Sequence, residues 1–229
     1  MQKFSTRRKN FKKIFMNLNL IVAETERSFF YIKSLIRAKI KISKIIYFAN
    51  KKKATYQLIK SKNLLNVTQF IKVEDINSPL LVKKSDLKNL SGRFIYSGYP
   101  GQIIKNDDLL RKKLIHCHSG DLPFFKGSTT IYYTLLSKKK ICVSLFIMNR
   151  NIDEGKIIFK KFFNPPKNFG NIEKNFDNEI RSNALIEFLK KKISKNEYIN
   201  RQNIKYFYYK AHPILRMIVN NPNNFKKIL

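Results

Sequence analysis

The sequence predicts an α/β domain on an open, mainly parallel sheet with helices on both faces, ended by a short aromatic C-terminal extension. Three observations carry that prediction. Short apolar runs of strand length alternate with helix-length amphipathic segments along the first half of the chain. The 229 residues, 43% hydrophobic with 19 Phe and 11 Tyr, suffice for one sizeable core. Five of the seven glycines fall between residues 98 and 155, a grouping that points to tight turns and close backbone approach there.

The elements follow in order. Leu18–Ala23 reads as a first strand, and Glu26–Ile36 as a helix with Phe29, Phe30, Ile32, Leu35 and Ile36 on its apolar side. Lys44–Ala49 is a second strand, Ala54–Ser61 a further helix and Val67–Val73 a third strand. Arg93–Tyr96 is a fourth strand, closed by the turn composition of Ser97–Gly101. A short helix over Asp107–Arg111 leads into a strand over Lys113–His118. Thr129–Leu136 reads as a helix, and Ile141–Met148 and Lys156–Phe163 as a hairpin-like pair of strands. A long helix over Ile172–Lys192 carries Phe176, Ile180, Leu185, Phe188 and Leu189 at core spacing. The remainder, with Tyr206–Tyr209 and His212–Pro213, is too short to fold alone. The expected division is a catalytic domain over 1–195 and an extension over 196–229.

The formal charge of +32 arises from 47 Lys and Arg against 15 Asp and Glu. Lysine-rich coding bias accounts for solvated runs such as Lys51–Lys53 or Lys190–Lys192. It does not account for the scarcity of acids, so attraction to a polyanion, an anionic membrane face or a phosphorylated small molecule is the simplest added cause. Cys117 and Cys142 are the only cysteines, which excludes a disulfide framework and implies a reducing cytoplasm. No window is apolar for long enough to span a bilayer. Arg7–Lys9 precedes an apolar run, but Asn17 and Asn19 interrupt it and no small-x-small cleavage site follows, so it reads as buried strand and not signal peptide.

The most informative segment is His116-Cys117-His118, followed by Ser119-Gly-Asp121, Leu122-Pro123, Gly127 and, later, Asp153-Glu-Gly155. Alternation along a strand points His116 and His118 one way and Cys117 the other. The strand ends at Ser-Gly-Asp, and in open α/β sheets ligands gather beyond the carboxyl ends of strands. Simpler readings stand beside a catalytic one. Either imidazole can be a satisfied core residue. His-x-His can bind a metal, but no third ligand of clear spacing is near. Cys117 as a nucleophile competes with Cys117 as core. Ser128 or Thr129 suits the N-cap of the following helix. His212 reads as structural.

Taken together, these residues resemble the formyltransferase family that uses 10-formyltetrahydrofolate, whose members act on glycinamide ribonucleotide, methionyl-tRNA and sugar nucleotides. The family signature is Asn-x-His, a loop to Leu-Pro, three residues and then a Gly, and Asp-x-Gly after a strand. Here it is His116-Cys-His118, Leu122-Pro123, Gly127 and Asp153-Glu-Gly155, with His116 where the family has Asn. The likeness covers roughly residues 18–190, its specific motifs lying within 96–159. It implies a Rossmann-like core and a catalytic set of His116, His118 and Asp153, with no metal. Asp153 would accept the ammonium proton, His118 would stabilise the oxyanion and relay a proton, and His116 would be a second donor. It also implies folate contacts at Tyr99, Gln102, Ile103, Ile104, Arg150 and Ile152. Acceptor contacts would come from Lys126, Gly127, Ser128, Thr129 and Tyr132. The Asp177–Arg181 helix resembles another element of the same domain.

The acceptor is the finer question. The high charge favours tRNA as a partner, whereas the length opposes the extra domain of methionyl-tRNA enzymes. A glycinamide-ribonucleotide enzyme fits the length. The Gly127–Tyr133 segment looks most like enzymes that formylate an amino sugar on a nucleoside diphosphate, which is the reading chosen. A rival of another class is a non-catalytic basic module that binds nucleic acid on this fold. Aromatic patches in the extension allow a homodimer.

Overall fold

The computed structural model describes residues 17–48, 70–73, 76–77, 87–166, 172–191 and 210–221. Within them the chain runs β1 (Leu18–Ala23), α1 (Glu26–Arg37), β2 (Lys44–Phe48), β3 (Phe70–Val73) and β4 (Arg93–Ser97). It continues with α2 (Asp107–Arg111), β5 (Ile115–His118), α3 (Thr130–Lys138), β6 (Ile141–Ile147) and β7 (Lys156–Phe163). Last come α4 (Asp177–Lys190) and α5 (Pro213–Asn220). The helix expected over 54–61, the start of the third strand at 67–69, Lys51–Lys53 and Tyr206–Tyr209 lie outside the described residues.

Among the described residues one seven-stranded sheet has the order β3-β2-β1-β4-β5-β6-β7. β1 to β5 are parallel, and β6 and β7 are added antiparallel. The chain winds outward from β1 to β3, then returns to β4 on the other side of β1. That reversal leaves a crevice at the carboxyl ends of β1 and β4, where connecting segments part to opposite faces.

Alternation along β1 divides the core. Leu18, Leu20 and Val22 pack on one face with Tyr31, Ile32 and Leu35 of α1, while Ile21 and Ala23 pack on the other with Leu87, Ile104 and Leu109. Both faces are therefore covered, as a parallel sheet requires. Among the described residues no helix is long and apolar enough to cross a membrane.

Local chemistry sets the helix boundaries. The Thr25 hydroxyl accepts from Ser28 N at 3.2 Å and caps α1. Thr129 occupies the N-cap position of α3 but makes no side-chain cap. Its φ is +53° and its hydroxyl instead accepts from Ala211 N at 2.6 Å. That bond, with Ala211 and Val219 buried in the main core, ties the C-terminal segment to α3. The expected helix over 172–192 is divided: Ile172–Phe176 is a π-helical turn and the α-helix starts at Asp177. The side-chain amide of Asn178 donates to Lys174 O at this junction. The fifth strand starts at Ile115 rather than Lys113, because Lys113 takes φ +56° in closing α2.

Candidate active site

β5 delivers His116 and His118 to the crevice end of the sheet, next to β4 and opposite β6. A cavity of about 490 Å³ opens there, and His116, His118 and Asp153 all line it. Cys117, between the two imidazoles, is fully buried in the opposite layer. Burial pushes its thiol up to about 11 and that of Cys142 to about 12, which leaves neither as a nucleophile at neutral pH.

His118 is held from three sides. Its Nε2 lies 2.8 Å from Phe125 O and 3.1 Å from Thr130 Oγ1. A carbonyl only accepts and the Thr130 hydroxyl donates to Ser119 O at 2.6 Å, so Nε2 carries the hydrogen. Nδ1 then faces Asp153 Oδ2 at 3.4 Å. The same oxygen accepts from Gly127 N at 2.9 Å, whereas Oδ1 has no hydrogen bond among the described residues. Gly127 has φ +109°, a conformation that favours glycine.

The loop that presents Phe125 O is itself anchored. Buried Asp121 pairs with Lys160 at 2.6 Å and Lys138 at 3.1 Å. Ser144 Oγ donates to Gly120 O at 2.6 Å and accepts from Leu122 N at 3.1 Å. A Cβ on Gly120 would stand 2.5 Å from His118 Nε2 and 2.7 Å from Phe125 O. Glycine at 120 is thus what lets the loop close over the imidazole.

His116 is arranged differently. Its Nδ1 donates to Tyr96 O at 3.0 Å, and its ring meets Phe146 edge-on at 5.8 Å. Burial first, then the Arg27 and Arg181 guanidinium groups, hold its pKa well below the ordinary range. The ring is therefore neutral, and with Nδ1–H engaged its Nε2 offers a lone pair. With these contacts made, neither neutral imidazole has an uncommitted N–H, so the donor roles that the resemblance implies require a further proton on a ring nitrogen.

The residues expected to contact folate line the cavity: Tyr99, Gln102, Ile103 and Ile104 along one loop, and Arg150 and Ile152 along another. Gln102 Oε1 shapes the first loop by accepting from Tyr96 OH at 2.9 Å and Tyr99 N at 3.2 Å. Arg150 is engaged with Asp107 at 2.6 Å. Gly127, Ser128 and Thr129 also line the cavity. Lys126 and Tyr132 do not. Lys126 pairs with Glu154 at 3.0 Å. Tyr132 is 2% exposed in the α3 core, near Asn220 and Arg216 of α5.

Four charged lining residues were not picked out by sequence reasoning as functional: Arg27, Glu173, Asp177 and Arg181. Arg27 Nη2 donates to Gly98 O at 2.5 Å and Nε to Ser97 Oγ at 3.3 Å. Among the described residues no carboxylate pairs with it, and burial lowers its pKa. Its place just beyond the end of β1 is the one signal that could have marked it. Among the described residues no three His, Cys, Asp or Glu side chains are grouped to hold a metal ion.

No family model matches the sequence, and no curated protein matches it. Solved structures do match the fold. A sugar N-formyltransferase from Shewanella sp FDAARGOS_354 is similar at 16% identity and TM-score 0.56, with 85% of this chain and 76% of that one covered. An N-formyltransferase from Helicobacter canadensis, in complex with folinic acid and dTDP-3-aminofucose, is similar at 18% identity and TM-score 0.54, covering 85% and 71%. A phosphoribosylglycinamide formyltransferase from Anaplasma phagocytophilum is similar at 13% identity and TM-score 0.54, covering 86% and 99%. The chain therefore has the α/β fold common to these sugar N-formyltransferases and phosphoribosylglycinamide formyltransferases.

Proposed function

We propose that this chain transfers a formyl group from 10-formyltetrahydrofolate to a primary amine carried on an amino-sugar nucleotide. The observation that carries the reading is His118, fixed between Phe125 O and Asp153 in the cavity beside the β1–β4 crevice. The lining suits a flat heterocycle: Ile104, Phe146 and Met148 offer apolar walls, and the main chain of 99–104 and 149–153 offers peptide groups. When bound, the folate supplies the formyl carbon on a tertiary nitrogen.

The chain's own residues then handle protons and charge. Asp153 Oδ1, free of hydrogen bonds among the described residues, accepts a proton from the incoming ammonium. Gly127 N–H keeps the carboxylate turned toward His118. With Nε2–H held by Phe125 O, a proton between Nδ1 and Asp153 relieves two facing lone pairs, and the pair can return it to the leaving nitrogen. At 3.4 Å this contact is longer than a settled charge-assisted bond, so Nδ1–H can turn to the formyl oxygen as its charge develops. His116 takes the acceptor role: its Nε2 lone pair receives an amine N–H and aligns the nucleophile. Arg27, without a carboxylate partner among the described residues, is assigned to an anionic group of the acceptor.

The acceptor class is supported by the Helicobacter canadensis protein, whose structure holds folinic acid and dTDP-3-aminofucose. Free, buried Cys117 and Cys142 support a cytoplasmic setting, with residues 1–195 as the catalytic domain and 196–229 as its extension. The test is incubation with 10-formyltetrahydrofolate and, separately, dTDP-linked amino sugars, glycinamide ribonucleotide and methionyl-tRNA, following tetrahydrofolate release. Release with an amino-sugar nucleotide is expected. Release with another amine alone would overturn the acceptor, and salt-sensitive RNA binding without folate binding would overturn the enzyme.

A further inference from the structure

Two largely buried, oppositely charged side chains on α4 grip the main chain on either side of His118. Arg181 Nε lies 3.0 and 2.9 Å from the two carboxylate oxygens of Asp177, one helical turn before it. The side chains are only 12% and 14% exposed. Both reach across to β5. Arg181 Nη1 donates to Cys117 O at 2.5 Å, and Ser119 Oγ donates to Asp177 Oδ1. Cys117 and Ser119 are the residues before and after His118. Thr130 completes the grip, since its hydroxyl donates to Ser119 O and meets His118 Nε2.

A buried ion pair is a poor way to gain stability, because desolvation offsets most of the attraction. What such a pair gives is direction. The guanidinium Nε–H is shared between both carboxylate oxygens, and each group uses its remaining capacity on one flank of the same residue. A shift of about 1 Å in a reacting group costs about 10²-fold in rate, so the direction of the β5 exit matters to the chemistry.

We infer that Asp177 and Arg181 form a positioning pair that sets the His118 imidazole through the backbone of residues 117–119. Both also line the cavity, but their hydrogen bonds go to each other and to the residues flanking His118, so in this role they act through His118. The inference rests on the formyl-transfer reading for its effect on rate, but not for its effect on the ring.

The test has two readouts on Asp177→Asn and Arg181→Gln, with Arg181→Lys as the milder variant should the others fail to fold. The first is the 15N and 1H imidazole spectrum of histidine-labelled protein, which holds three histidines. His118 resonances should move in each folded variant while those of His212, the N-cap residue of α5, stay in place. The second is steady-state formyl transfer, where kcat should fall about 10- to 100-fold with the KM for 10-formyltetrahydrofolate little changed. Arg181→Lys should recover part of the rate. Unmoved His118 resonances would overturn the positioning pair whether or not any amine is formylated. Moved resonances with wild-type kcat would overturn its bearing on catalysis. Moved resonances in a chain that formylates none of the amines would refute the proposed activity and leave the positioning pair standing.

Discussion

Where β1 and β2 bury Leu20, Ile21, Val22, Ile45 and Ile46, the region around β5 and β6 buries His118, Ser119, Asp121, Thr130 and Ser144. The first region draws its stability from apolar area removed from water, and substitutes of similar volume would serve nearly as well. In the second, every buried polar group named here has a partner: Phe125 O, Asp177, Lys160, Ser119 O or Gly120 O. Buried polar groups are costly unless bonded, so that region exchanges stability for fixed directions of a few polar atoms. One half of the sheet is scaffold and the other holds the site.

Substitutions should separate the two. The largest effect on rate is expected at the site. His118→Ala and Asp153→Asn should each lower turnover by at least about 10²-fold, measured in single turnover, with thermal midpoints within about 4 °C of the parent. Near-parental turnover in either would erase the distinction. In the scaffold, Leu20→Ala should cost about 2–5 kcal/mol in urea unfolding, yet the folded fraction should turn over at the parental rate. A parental unfolding midpoint would show that β1 is not the scaffold described.

A smaller effect separates the two histidines. The pKa of His116 is held down by burial and then by Arg27, Arg181 and, least, His118. The unfolded chain therefore binds more protons than the folded one below about pH 6.5, the ordinary histidine value, and stability rises with pH there. Acidification through that range should lower the thermal midpoint, and His116→Asn should make the loss shallower. An unchanged slope in the variant would contradict a neutral His116. The smallest effect is on thiol chemistry. Cys117 and Cys142, pushed up to about 11 and 12 by burial, should resist alkylation in native protein at pH 7.5 and react on unfolding.

The same contrast explains what could be read from the sequence. Apolar runs report burial directly, so β1, β2, β4, α2 and β7 were visible within about a residue of their bounds. Strand alternation put His116 and His118 on one side of β5, whereas Gly127 and Asp153 stood out by their match to the formyltransferase motif. Arg27, Asp177 and Arg181 did not, since charged residues on amphipathic helices ordinarily face water and only tertiary packing turns these inward. Tyr132 and Lys126 lie off the cavity lining for the converse reason. One packs under α5 and the other meets Glu154 across the Asp153 turn, and no local pattern announces either. The donor roles expected of the imidazoles likewise depended on carbonyls of Tyr96 and Phe125, which sequence spacing does not orient.

The most direct measurement is a crystal structure of the chain with 5-formyltetrahydrofolate and a dTDP-linked amino sugar. The account predicts the folate ring between the 99–104 and 149–153 loops, and the sugar amine about 3–3.5 Å from the formyl carbon, within hydrogen-bond reach of Asp153 and His116 Nε2. A folate bound elsewhere, or an amine remote from Asp153, would contradict it.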